Sequence, residues 1–273
     1  MAETDVTTGH DPGAASAGPV GGQAGAGGEH GGAKPTVVCK DVDITYRVYE
    51  DRRQSLRSLV ASKFKSRESR AIEAVKDVSF TAYAGDAIGV IGSNGSGKST
   101  LLRAIGGLMP VTDGEILVRG SAALLGVGAA LQPKVSGRRN VLLGGLALGL
   151  SREEVAERFD EIVEFAGLEH AIDLPLKTYS SGMRARLQFA ISSAVRPEVL
   201  LIDEALAVGD KAFKVRSQQR IDELRAAAGT IFLVSHSMGV IKKTCTRALW
   251  LEQGVLRADG DPKEVVAAYD AAT

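Results

Sequence analysis

The stretch GSNGSGKS, Gly92 to Ser99, constrains this chain more than any other feature. It satisfies G-x-x-x-x-G-K-[ST]. An apolar run, Ala87 to Ile91, leads into it, and a helical pattern from Ser99 to Leu108 follows. The motif has meaning only in that setting of strand, glycine-rich turn and helix N-terminus. Glycines let the backbone wrap closely, so that successive N–H groups point inward, and the helix start adds its dipole. The expected ligand is a nucleotide polyphosphate, held by Gly92, Ser93, Asn94, Gly95, Ser96, Gly97, Lys98, Ser99 and Thr100. Lys98 would reach the β- and γ-phosphates, and Ser99 would ligate Mg²⁺.

The rest of the chain reads as the fold such a loop needs. PTVVCKDVDITYRVYE alternates like a strand. AVKDVSFTAYAGDAIGVIG reads as two strands joined by a turn at Ala84-Gly85-Asp86. From residue 97 the pattern runs helix, strand, helices, strand, helix, strand. Ser151-Arg152-Glu153-Glu154 matches a capping box ahead of an amphipathic run to Phe165. Val199 to Ile202 and Ile231 to Val234 are short apolar runs, as buried parallel strands should be. Arg247 to Thr273 reads as strand, turn and terminal helix. Alternating strands and helices predict an α/β fold over residues 36–273. Residues 1–35 are rich in Gly, Ala and small polar residues and bury too little to offset their ordering entropy, so a flexible tail is expected. His10 and His30 lie in it and read as solvated.

Bulk properties exclude several classes. The chain has 273 residues, enough for one large domain or two small ones. Formal net charge is zero, so the total gives no electrostatic case for nucleic acid. The two cysteines, Cys39 and Cys245, stand far apart in no metal spacing, which predicts reduced thiols and a cytosolic setting. No signal-peptide pattern opens the chain. The longest apolar run, Val141 to Leu150, is about half of the roughly 20 residues that a membrane-spanning helix needs. The expectation is a chain soluble by itself, linked to a membrane through a partner or a surface helix.

Further candidates take their meaning from the phosphate loop. Val199 to Asp203-Glu204 is an apolar strand ending in two carboxylates. Asp203 would hold Mg²⁺ through water, and Glu204 would act as general base on the attacking water. His236 follows another apolar strand and lies where open α/β sheets bind ligands. It reads as a γ-phosphate contact or as a structural histidine. Gln132 stands between an apolar strand and a helix, either positioning Mg²⁺ and water or as an ordinary loop residue. Tyr46 or Tyr49 would stack on a base, or sit as a half-buried strand tyrosine. In TYSSGMRARLQFA, Ser180, Ser181 and Gly182 begin a helix with hydroxyls able to cap it, a natural anion site with no lysine of its own. Residues 52–70 place Leu56, Leu59, Val60 and Phe64 on one helical stripe among arginines and lysines.

In this order the phosphate loop, the serine-glycine helix start, the Asp-Glu strand and the histidine resemble the ATP-binding subunit of ABC transporters. The resemblance spans residues 36 to about 255. It implies an ABC-type P-loop NTPase with a RecA-like core, an antiparallel β subdomain and a helical signature subdomain at about 135–192. It also implies that ATP and Mg²⁺ are bound and ATP is hydrolysed. The family's signature, usually written LSGGQ, touches the γ-phosphate of ATP held by a second copy of the protein. Tyr179-Ser180-Ser181-Gly182-Met183 occupies its place, with Tyr for Leu, Ser for Gly and Met for Gln. Ala207 to Asp210 would be the D-loop at the dimer seam. YSSGMRARLQFA, DEALAVGDKAF and SGRRN resemble exporters of polysaccharides or lipid-linked glycans, including O-antigen, capsule and teichoic acid. The composition most resembles subunits proposed to export actinobacterial cell-wall galactan. The resemblance thus implies two membrane-spanning permease subunits as partners, a place on the cytoplasmic side of the membrane, and no nucleic acid. In such exporters the basic segment 52–70 would face the membrane; otherwise it packs on its own domain. Two alternatives stay open. One is a transporter of another substrate (drug, lipid or nutrient). The other is a soluble ABC ATPase, which would usually need a second ATPase domain or a coiled-coil insertion.

Overall fold

In the computed structural model, which describes residues 33–49, 69–125, 131–203 and 211–273, two sheets face one helix. The chain divides into residues 1–30 and 31–273, and everything described belongs to the second unit. The first sheet is antiparallel. β1 (Pro35–Tyr49) and β2 (Ser69–Tyr83) pair along their length, and β2 begins before the Ala74 start that the sequence pattern gives, in residues expected to end a helical stripe. The turn at Ala84-Gly85-Asp86 then sends the chain into a different sheet. Gly85 has φ 94° there, a conformation that costs a glycine little.

β3 (Ala87–Ile91) is the centre of the second sheet. α1 (Lys98–Ile105) follows it, and then β4 (Asp113–Val118) joins β1 in the first sheet. β5 (Ala122–Leu124) returns to the second. The helical region comprises α2 (Gly137–Ala147), α3 (Arg152–Ala166) and α4 (Ser181–Ser193). Then come β6 (Val199–Asp203), α5 (Lys211–Ala227), β7 (Thr230–Val234), α6 (Met238–Thr244), β8 (Arg247–Glu252), β9 (Val255–Gly260) and α7 (Pro262–Ala272). The second sheet runs β5-β6-β7-β3-β8-β9, parallel except for β9.

The structure corrects the sequence reading at further points. α1 ends at Ile105, three residues before the expected Leu108, because Gly106 caps it and Gly107 takes φ 67°. The strand expected after α1 is two strands, β4 and β5, in different sheets. The C-terminal part holds a second strand, β9, where a turn alone was expected, because Gln253 and Gly254 (φ 49° and 87°) reverse the chain into a hairpin. Of the expected tail, residues 1–32 lie outside the described residues, as do residues 52–68 of the basic segment. Ser69 and Arg70 already belong to β2.

Three apolar clusters hold the parts. Leu101, Leu102 and Ile105 of α1 pack with buried residues of both sheets, and the Phe80 and Phe232 rings meet across that layer at 6.0 Å. Helices α2 to α4 build a second cluster around Leu168, Leu176, Leu187 and Ile191. A third, around Leu200, Ile241 and Val266, covers the opposite face of the parallel sheet. Among the described residues no helix is long and apolar enough to cross a membrane.

Arg247 ties the two sheets at the edge remote from the phosphate loop. Its guanidinium donates to the Thr81 carbonyl (2.6 Å) and to both Asp259 carboxylate oxygens (2.5 Å each), with Asp86 Oδ2 at 3.8 Å. Charge-assisted bonds of this kind stabilise by about 1.5–3 kcal/mol. Arg247 is only partly buried, so solvent screens the group. Arg247→Ala is expected to lower unfolding stability by about 2 kcal/mol, read as a shifted urea midpoint at unchanged slope.

Candidate nucleotide site

The loop after β3 is a cradle built on glycine. Gly92, Gly95 and Gly97 take φ 142°, 81° and 104°, where side chains are strained. Crowding adds a second requirement at two of them. A Cβ on Gly92 would lie 2.0 Å from the Leu251 carbonyl oxygen, and one on Gly97 would lie 2.3 Å from that of Ala74. Strand β2 and the β8–β9 hairpin thus press the loop from outside its own sequence. Gly254 adds a main-chain bond to the Ser96 carbonyl at 3.0 Å. Ser93, Asn94 and Gly95 form the exposed tip, whereas Ser96, Gly97 and Lys98 are buried. The Ser96 hydroxyl is a buried polar atom with no hydrogen-bond partner among the described residues. Gly97 caps α1 without a side chain, so no side-chain acceptor takes the first N–H groups of that helix.

Lys98 bends back into the loop. Its ammonium donates to the carbonyls of Gly92 (2.8 Å) and Ser93 (2.7 Å). Burial lowers its pKa, and the nearby charge of Asp203 partly opposes that shift. Ser99 Oγ donates to Asp203 Oδ2 at 2.7 Å, joining residues 104 positions apart. Strand register explains the meeting. Val234 pairs with both Val90 of β3 and Asp203 of β6. The phosphate loop, Asp203 and His236 therefore leave neighbouring strands at the same edge. His236 is exposed there, just before α6. Glu204 and the expected D-loop, Ala207 to Asp210, lie outside the described residues.

Tyr46 stands over the start of α1. Its hydroxyl is 3.3 Å from Thr100 Oγ1 and 3.5 Å from Met109 Sδ, and its ring is half exposed. The side chain of Tyr49 lies outside the described part. Gln132 is exposed, and its backbone is held by Asn140 at the start of α2. The segment after Gln132 pairs through main-chain bonds with the segment before α4. Gly137 N–H donates to Leu174 O (3.1 Å), Arg138 to Ile172 (2.7 Å), Leu176 to Val135 (2.9 Å) and Lys177 to Pro133 (2.8 Å). At the head of α4, the Ser180 hydroxyl accepts from Met183 N–H at 3.1 Å, and Ser181 is exposed. Gly182 needs no left-handed backbone, and a Cβ there would meet only Ser180 Oγ at 3.9 Å. Among the described residues, no crowding demands a glycine at that position.

Residues 75–207 match the family described as ABC transporter. The chain is 40% identical over 240 residues to the O-antigen export system ATP-binding protein RfbB of Myxococcus xanthus, covering 85% of this chain and 55% of that one. It is 39% identical over 236 residues to the teichoic acids export ATP-binding protein TagH of Staphylococcus epidermidis, covering 86% of this chain and 88% of the relative. This chain belongs to the ABC transporter family. It spans about half the length of the Myxococcus relative and most of the staphylococcal one. Its fold is also that of the dimeric ATP-binding cassette MJ0796 solved with ADP and Pi, with a TM-score of 0.60 at 22% identity over 83% of this chain and 98% of that chain.

Packing within the helical region accounts for Tyr179 and Met183 at this helix start. Tyr179 is buried among α2 to α4, and its hydroxyl donates to the Ala171 carbonyl at 2.7 Å. Burial raises its pKa. Met183 packs against the same cluster. Both side chains belong to the helical core, whereas Ser180 is exposed and Gly182 is half-buried. The site also fits Mg²⁺ on its own chemistry. Ser99 Oγ and Asp203 Oδ2 are hard oxygens, and Mg²⁺ takes one or two such protein ligands, completing its shell with phosphate and water. Sequence reading missed Asn140, Leu251 and Ala74. The first shows as a lone amide at the head of an apolar helix; the other two act through their carbonyls and leave no trace in side-chain pattern.

Proposed function

We propose that this chain is the ATP-hydrolysing subunit of an exporter that moves a lipid-linked glycan across the cytoplasmic membrane. Two copies would work beneath two membrane-spanning permease subunits, on the cytoplasmic side. A cell-wall galactan or O-antigen-like polymer is the cargo we favour. The observation that carries the reading is the 2.7 Å contact of Ser99 with Asp203 beside an intact glycine cradle, in a chain whose relatives are named for O-antigen and teichoic-acid export.

Each residue has a stated task. Gly92 to Gly97 turn N–H groups inward on the β- and γ-phosphates, and Lys98 adds its charge. Thr100, next to Ser99 at the start of α1, extends that row of donors. Ser99 and Asp203 would hold Mg²⁺, with Gln132 completing its protein ligands. When bound, Mg²⁺ would neutralise charge developing on the phosphates. Glu204 takes a proton from the attacking water, and His236 contacts the γ-phosphate. Tyr46 presents its ring to the adenine. Ser180, Ser181 and Gly182 meet the ATP of a second copy. The open space beside Gly182 among the described residues supports that assignment, since it leaves room for a close approach by a second copy.

Cells that carry only Lys98→Ala test the reading. One lipid-linked polymer is expected to accumulate on the cytoplasmic side, identifying the cargo by its sugars. If ATPase activity is lost and no such polymer accumulates, the glycan assignment is wrong.

A further inference from the structure

The helix that starts at Ser180 carries a cation folded back over its own beginning. Arg184 lies one turn into α4, and helical side chains lean towards the N-terminus. Its Nη1 donates to the Tyr179 carbonyl at 2.7 Å. That carbonyl belongs to the peptide that leads into Ser180, so the guanidinium lies against the head of the helix. The first turn of α4 holds no acidic residue to offset this charge. Arg184 is exposed, and among the described residues it has no carboxylate partner and no other hydrogen bond.

The partial positive charge of a helix N-terminus and a full positive charge thus stand together, an arrangement that disfavours the helix until an anion joins it. The phosphate loop is built the same way. α1 has no acidic residue in its first turn, and Lys98 bends back to the carbonyls of Gly92 and Ser93. Water screens an exposed cation, and cover by a second copy would remove that screening and strengthen its pull on a phosphate. A guanidinium has five donors, so one bond to Tyr179 leaves others for phosphate oxygens. We propose that Arg184 contacts the terminal phosphates of the ATP held by a second copy, supplying the cation that Ser180, Ser181 and Gly182 lack. The proposal rests on the reading above that this helix start meets that ATP.

The test uses the full chain carrying Glu204→Gln to stop turnover. Sedimentation in saturating ATP and Mg²⁺ reads the dimer. A fluorescent ATP analogue reads nucleotide affinity at a dilution where the chain is monomeric. Arg184→Ala should weaken the dimer by at least about 10-fold, since each of two equivalent sites loses a charge-assisted bond. ATP affinity of the monomer should stay within about twofold, because the phosphate cradle is untouched. Arg184→Gln keeps a donor for the Tyr179 carbonyl and loses the charge. It should fail like the alanine variant, and replaces it should that one not fold. Full dimer affinity in Arg184→Gln makes Arg184 a brace for the helix start and overturns the inference. A parallel loss of dimer affinity and monomer ATP affinity in Arg184→Gln marks general damage and also overturns it. Gly182→Glu, which fills the same approach with bulk and negative charge, should abolish the dimer. If it does, and the Arg184 variants dimerise like the parent, the inference falls and the second-copy reading stands. A Gly182→Glu protein that dimerises like the parent, or a parent that stays monomeric, overturns both.

Discussion

Lys98→Ala is expected to abolish productive nucleotide binding. The ammonium is buried beside Asp203 and already bonds two loop carbonyls, so it is held within the cradle and needs little ordering. Burial disfavours its charge, and arriving phosphates would favour it. Each charge-assisted phosphate bond contributes roughly 1.5–3 kcal/mol, so losing two weakens ATP affinity by about 10²–10⁴-fold. A fluorescent ATP analogue titrated into the purified protein reads this directly. Affinity within a few-fold of the parent would remove Lys98 from the proposed site. Lys98→Met separates charge from volume and should behave like the alanine variant.

Glu204→Gln should give the opposite pattern: ATP binds, and turnover falls by about 10²–10⁴-fold, the range for a lost general base. Glu204 itself lies outside the described residues. The expectation rests on its place directly after Asp203, where β6 ends beside the phosphate loop. The measurement is single-turnover hydrolysis after saturation with ATP. Near-normal turnover would contradict the assigned role.

Much of this fold can be read from local pattern, because its decisive parts are local. The strand before Gly92, the runs Val199–Ile202 and Ile231–Val234, and the Ser151–Glu154 capping box are all present where the sequence puts them. Sheet membership is a long-range property and was not legible. Nothing within AVKDVSFTAYAGDAIGVIG says that its two strands join different sheets, nor that β4 and β5 part company. The site divides in the same way. The glycine cradle announces itself, but the crowding at Gly92 and Gly97 comes from Leu251 and Ala74, distant in sequence. Asp203 meets Ser99 only through the register of β6, β7 and β3. Asn140 looked like one polar residue in SGRRNVLLGG until its partners on residues 132–136 appeared.

The ladder that joins residues 133–138 to 172–177 is made of main-chain groups, with the exposed Arg138–Asp173 ion pair beside it. Such bonds survive almost any change of side chain; only proline deletes a donor. Pro133 lends a carbonyl and Pro175 stands opposite Ser136, so both prolines occupy positions where the ladder asks for no N–H. Side chains still limit this strap at Gly137, where a Cβ would lie 2.3 Å from the Tyr179 hydroxyl and 2.9 Å from the Ile172 carbonyl oxygen. Substituting proline at Leu176 or Lys177, whose N–H groups donate, is the kind of change the strap does not survive.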